Sequence, residues 1–224
     1  METFCSQNVS IDYLCAPMTE QQEKWLQQIE LLFLRYGIKS LTMDDIAREL
    51  GISKKTLYQF VENKDDLVKK VLAAYIGREK GMCACRFPQA SNALEEMRIV
   101  VEMNTSELAH MKSNIIYDLQ RYHRDSWEMM LTFRNEFLYQ VVRNNLERGI
   151  SEGLYRNDFN VDIVTRLHIS ATFQLFDENL FPSSMYSRSG VFMAYFIQYM
   201  YGILSDRGVV MFRQMFNNSI LHQN

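Results

Sequence analysis

Six residues, Lys54 to Gln59, hold five hydrogen-bonding side chains interrupted only by Leu57. Lysine, threonine, tyrosine and glutamine can bond phosphate oxygens or read base edges in a DNA major groove. Acid–base chemistry has one place to start, the cluster Tyr117-Asp118-Leu119-Gln120-Arg121-Tyr122-His123, with Asp125 just beyond it. No third group and no nucleophile stands beside His123, so structural hydrogen bonding is the better reading and the chain is not expected to be an enzyme. The cysteines, Cys5, Cys15, Cys83 and Cys85, have neither the number nor the spacing of a disulfide framework or a zinc site. HExxH is absent too, so no metal or cofactor is expected. Four reduced thiols fit a cytoplasmic protein.

The elements that must position the Lys54–Gln59 run are helical. Apolar residues at Trp25, Ile29, Leu32, Phe33 and Tyr36 follow the helical period, and Gly37 ends that helix. Thr42 is a natural N-cap for a second helix, Met43 to Leu50, with Asp45 three residues on, as in a capping box. Gly51 stops it. Ser53 caps a third helix, Lys54 to Phe60, and Asn63 caps a fourth that runs from Lys64 through Tyr75. Two short helices joined by a tight glycine turn form the skeleton of a helix-turn-helix. Ile46, Ala47, Leu50, Ile52, Leu57 and Phe60 would face inward, leaving Lys54, Lys55, Thr56, Tyr58 and Gln59 outside. Seven residues are too few for a helix to be stable alone, so its neighbours must hold this one out for a purpose.

The chain has 224 residues, 47 % hydrophobic, with only 9 Gly and 3 Pro. That is enough for a large core, and too few turn formers for an all-β fold. The 14 Met and 14 Phe suit helical bundles. No apolar run reaches the roughly 18 residues of a membrane span. The formal net charge is −3, and residues 19–80 carry 11 Lys and Arg against 10 Asp and Glu. Global electrostatics therefore lends nucleic-acid binding no support, and local arrangement must carry it. Residues 1–18 read as an irregular arm, with Met18-Thr19-Glu20 resembling a natural start. Beyond a loop at residues 86–92, helical stripes recur: Leu94, Met97, Val100, Val101; then Leu108, Met111, Ile115, Leu119. A long helix is expected from Asp125 to about Ser151, broken by Gly153. Another opens at Asn160 or Val161, and the last strong one spans roughly Ser189 to Leu204.

The stretches from Leu32 to Ala47 and from Leu50 to Leu67 resemble the N-terminal domain of the TetR family. The signature is glycine, a β-branched residue, Ser, two variable positions, Thr-Leu, Tyr, a variable position, an aromatic, then Lys before an acidic pair. The resemblance covers about sixty residues. It departs at Gln59, where the family often has His, and at Val61, where many members have a polar residue or proline. It implies an all-α protein: an arm (1–18), a three-helix helix-turn-helix domain (19–66), and an antiparallel helical bundle (67–224) that dimerises and holds a small-molecule effector. It implies that Thr42, Tyr58 and Lys64 hold phosphates, that Lys54, Lys55 and Thr56 lie nearest the bases, and that Ser53 and Gln59 are also at the DNA, Gln59 touching a base or a phosphate. The activity implied is transcriptional regulation, normally repression, by a homodimer on a palindromic operator, about 34 Å separating the two reading helices.

Residues Glu147 to Arg156 resemble the end of the family's long central helix. By that analogy helices at roughly 161–178 and 189–204 would pair across the dimer, through Leu167, Ala171, Leu175, Phe192, Tyr195, Phe196 and Tyr199. An aromatic-rich face on the second of them also supports burial against a partner, while burial within the chain's own core is the other reading. Candidate pocket residues are Met103, His110, Tyr117, Phe133, Phe137, His168 and Phe173, most of them expected to be plain core. The alternative function is a helix-turn-helix protein without a small-molecule sensor, controlled by a protein partner.

Overall fold

The computed structural model describes residues 18–108 and 115–216, which form two compact units. The first contains the described residues up to Arg86 together with those from 115 to Phe133; the second contains 87–108 and 134–216. The division therefore does not follow a single cut at residue 66. The whole fourth helix belongs to the first unit, and the chain returns to that unit later. The arm lies almost wholly outside the described residues, as does His110.

In the first unit, α1 (Glu20–Tyr36) begins at Thr19, which forms a capping box with Gln22. Leu26, Ile29 and Phe33, spaced three and four apart, are buried as one stripe. Gly37 then takes φ 84°, a conformation that disfavours any residue with a Cβ. Thr42 caps α2 (Met43–Glu49): its hydroxyl accepts from the Asp45 amide at 3.2 Å, and the Asp45 carboxylate accepts from the Thr42 amide at 3.0 Å. At Gly51 (φ 67°) the chain reverses, and the Ile52 amide donates back to the Ala47 carbonyl at 3.0 Å. Ser53 caps α3 (Lys54–Phe60), of which Leu57 alone is fully buried. That burial is worth about 2 kcal/mol. Asn63 accepts from the Asp66 amide at 2.9 Å and starts α4 (Lys64–Arg86), which runs well past Tyr75. Val61 is only 2 % exposed, so this departure from the family pattern is a core residue.

After α5 (Ala93–Leu108), which belongs to the second unit, the chain rejoins the first as α6 (Ile115–Tyr122) and α7 (Arg124–Thr132). There α7 packs on α4.

The second unit opens with a 3-10 turn, Phe87–Gln89, inside the expected loop, and continues as α5. The stretch expected as one helix from Asp125 to about Ser151 is helical throughout but not uniform. Residues Phe133–Leu138 widen into π-helix before α8 (Tyr139–Ser151) resumes the α geometry. Gly149 lets α8 meet Tyr155, since a Cβ there would stand 2.1 Å from the buried tyrosine ring. Asn160 caps α9 (Val161–Gln174), and Ser187 caps α10 (Arg188–Ile203). A further helix, α11 (Asp206–Phe216), was not anticipated from the sequence. Its Phe212 and Phe216, each 1 % exposed, close the core over Phe196 and Met200. Arg148 ties α8 to α5 by bonding Glu96 at 2.6 Å, Glu152 at 2.7 Å and the Ala90 carbonyl at 3.0 Å.

Candidate nucleic-acid interface

The residues expected at DNA gather at the N-termini of three helices in the first unit. Thr42 is committed to its capping box, and its hydroxyl also donates to Asp45 at 2.6 Å. The arrangement holds the Asp45 carboxyl at about 2, chiefly through the Thr42 hydroxyl and amide and then Arg48. Ser53 accepts from the Thr56 amide at 3.0 Å and lies 2.8 Å from the Thr56 hydroxyl, so the two side chains form one N-terminal cap. Lys54, Lys55, Tyr58 and Gln59 are exposed along α3, whereas Thr56 is half-buried. Opposite Leu57, then, α3 presents two cations, a phenol and an amide to solvent. That composition suits phosphate and base-edge contacts.

Lys64 also has a partner within the chain. Its ammonium donates to the Leu41 carbonyl at 2.6 Å, and burial lowers its pKa. It therefore fastens the entry of α2 to the start of α4, and a phosphate would have to share it with that carbonyl.

Contacts far apart in sequence complete the first unit. The Lys39 amide donates to Asp118 at 2.9 Å, and its ammonium donates to the Tyr122 hydroxyl at 2.9 Å. His123, 8 % exposed, lies 2.5 Å from Asp65 in the first turn of α4. Structural hydrogen bonding thus accounts for the Tyr117–His123 cluster, but the partner of His123 is Asp65, not Asp118 or Asp125. A cleft of about 410 Å³ lies at this corner, lined by residues including Asn63, Asp65, Lys69, Tyr122 and His123. One neighbour of α3 was missed from sequence: Asp44, paired with Lys54 at 2.7 Å.

Residues 26–71 match the family described as bacterial regulatory proteins, tetR family. That stretch is a TetR-type N-terminal domain. Among its relatives, the uncharacterized HTH-type transcriptional regulator YvaF of Bacillus subtilis (strain 168) is 28 % identical over 139 residues, spanning 62 % of this chain and 72 % of that protein. The HTH-type transcriptional repressor KstR2 of Mycolicibacterium smegmatis is 24 % identical over 149 residues, spanning 65 % and 73 %. A TetR-family regulator from Agrobacterium tumefaciens superposes with a TM-score of 0.69 at 17 % identity, over 83 % of this chain and 98 % of that one. The TetR-type head is thus supported by sequence and the all-helical fold by structure.

Beyond the TetR-type head, the candidate pocket residues do not form one set. Tyr117, 52 % exposed, stands at the surface of α6 beside Tyr122 and is not interior. Phe133 is buried in the first unit, while Met103, Phe137, His168 and Phe173 are half-buried in the second. His168 stacks on Tyr199 with ring centres 3.9 Å apart, and its Nδ1 lies 2.8 Å from the Tyr195 hydroxyl. The expected interface needs correction as well. Phe196 is 2 % exposed and Leu175 7 %, so both are interior to a single chain. For Phe196 the reason is α11, which covers the face that a partner was expected to cover. Leu167 is 64 % exposed; Ala171, Phe192, Tyr195 and Tyr199 are half-buried.

No described helix is long and apolar enough to cross a membrane. Among the described residues no three His, Cys, Asp or Glu side chains could hold a metal ion. Burial pushes the Cys83 thiol up to about 12, which makes it a poor nucleophile.

Proposed function

We propose that the chain is a transcriptional repressor that binds a palindromic operator as a homodimer and is released by a small-molecule effector bound in its C-terminal helices. The observation that carries the reading is α3: a seven-residue helix that buries Leu57 and turns Lys54, Lys55, Tyr58 and Gln59 to its outer side. In a bound complex Lys54, Lys55 and Thr56 lie nearest the bases, Thr42 and Tyr58 hold phosphates, and Ser53 and Gln59 lie beside them. Lys64 reaches a phosphate from the start of α4, where the helix dipole also favours an anion. The repressor name of the KstR2 relative supports repression over activation. Ile163 and Leu167, 55 % and 64 % exposed on α9, support pairing of that helix with a second copy. An effector acts by favouring a dimer whose reading helices are wrongly spaced, which lowers DNA affinity by linkage.

The test is gel-shift binding of the purified protein to DNA flanking its own gene, titrated with salt. A shift at two chains per site, weakening steeply with salt, is expected. Absence of any specific shift, both there and after selection from random duplexes, would overturn the reading.

A further inference from the structure

The reading head is close to neutral. From Thr42 to Lys64 four cations, Arg48, Lys54, Lys55 and Lys64, stand against four acids, Asp44, Asp45, Glu49 and Glu62. Most of the cations are already engaged within the head. Arg48 pairs with Asp45 at 2.5 Å, Lys54 with Asp44 at 2.7 Å, and Lys64 donates to the Leu41 carbonyl. Lys55 forms no ion pair among the described residues.

Of these pairs, Lys54 with Asp44 is unlike the others. Asp45 is fixed by Thr42 as well as by Arg48, so its carboxylate builds α2. Asp44 makes no capping bond: it is exposed in the first turn of α2, where the helix dipole suits an acid, and bonds only Lys54 among the described residues. It also places a negative charge on the side of the head that a polyanion must approach. A carboxylate there weakens DNA binding unless it serves discrimination.

We infer that Asp44 is a selectivity residue, holding Lys54 in an ion pair that backbone phosphates alone do not open. The inference rests on the proposed DNA-binding role. On an arbitrary sequence Lys54 stays with Asp44, so that cation is already neutralised and releases no counterion from the duplex. At a matching site the base edges offer Lys54 the acceptors of a guanine, and its ammonium leaves Asp44 for them. The freed carboxylate then needs a donor, which a cytosine amino group supplies and a guanine or thymine acceptor does not. Affinity for random DNA is thus held down, while affinity for the correct site is largely kept.

The experiment is fluorescence anisotropy with two labelled duplexes of equal length, one of scrambled sequence and one selected from a random pool by the wild-type protein. Both are titrated against wild type, Asp44→Asn and Asp44→Asn/Lys54→Met over a range of KCl. Asn keeps the shape of Asp, and the site is exposed, so the fold is retained; circular dichroism checks this. Asp44→Asn should bind the scrambled duplex about 3- to 10-fold more tightly at low salt, with its log–log salt slope steeper by roughly one ion. The ratio of selected to scrambled affinity should fall. The double variant should lose the added ion, which shows that Lys54 supplied it. Unchanged scrambled affinity and slope in Asp44→Asn, with binding otherwise intact, would overturn the role of Asp44 alone. Failure of every variant and of wild type to bind any duplex in a salt-dependent way would overturn the DNA-binding reading and this one with it.

Discussion

Burial of the His168 ring between α9 and α10, against Tyr195 and Tyr199, pushes its pKa down to about 4 from 6.5. A histidine that binds its proton more weakly when folded leaves stability intact above the unfolded pKa and removes it as pH falls. The window here runs from about 6.5 down to 4. Moving from pH 7 to pH 5 should therefore cost the wild type about 2 kcal/mol in urea unfolding. His168→Gln should flatten that dependence, and an equal loss in both proteins would mean the imidazole is not held neutral. The residue-scale features that sequence conveyed are the local ones. Thr42, Ser53 and Asn63 were readable as caps because a cap bonds an amide two or three residues away. The partners of Lys39 and His123 were not, since Asp118 lies 79 residues from Lys39 and Asp65 lies 58 from His123.

Among the elements, α1, α2, α3 and α9 match the helical periods read from the sequence, because each pairs a clear apolar stripe with a cap or a glycine stop. Two departures have physical causes. The π-helical Phe133–Leu138 leaves no mark in an apolar pattern that continues on both sides of it. The other is α11, whose signals, a Ser205 cap on the Gly208 amide at 3.0 Å and Phe212 and Phe216 four residues apart, are masked by the continuous apolar run from Val209 to Phe212. Within that run Phe212 is buried and Val210 is 59 % exposed. Phe212→Ala should accordingly cost about 3–5 kcal/mol of unfolding free energy. Val210→Ala on the same helix should change it by no more than about 0.5 kcal/mol. Similar losses in both would show that α11 is not a cover for the core. The same helix covers Phe196 on the aromatic face of α10, whereas Tyr195 and Tyr199 on that face lie against His168 of α9.

At the scale of the molecule, the family resemblance conveyed the reading head but not the path of the chain. Residues 19–66 carry the resemblance, yet the compact unit around them needs all of α4 and recruits α6 and α7. A fragment of residues 18–86 lacks the bonds from Asp118, Tyr122 and His123 and exposes the side of α4 that α7 covers. Such a fragment should melt at least about 5 °C below a protein that keeps residues 110–133, as followed by circular dichroism. Equal melting points would make α6 and α7 dispensable to the head. The net charge was a poor guide for a related reason. Acids such as Asp44 and Asp45 occupy the head to pair its cations, so a domain with a local task can be globally near neutral.

The return of the chain to its first unit also sets a timetable for synthesis. The ribosome finishes Arg86 and must add a further 47 residues before Phe133, the last residue of that unit, exists. At 5–20 residues per second this takes roughly 2–10 seconds. During that interval the residues of α1 to α4 have been made but α7, which packs on α4, has not, so the first unit is completed only after the second has been started.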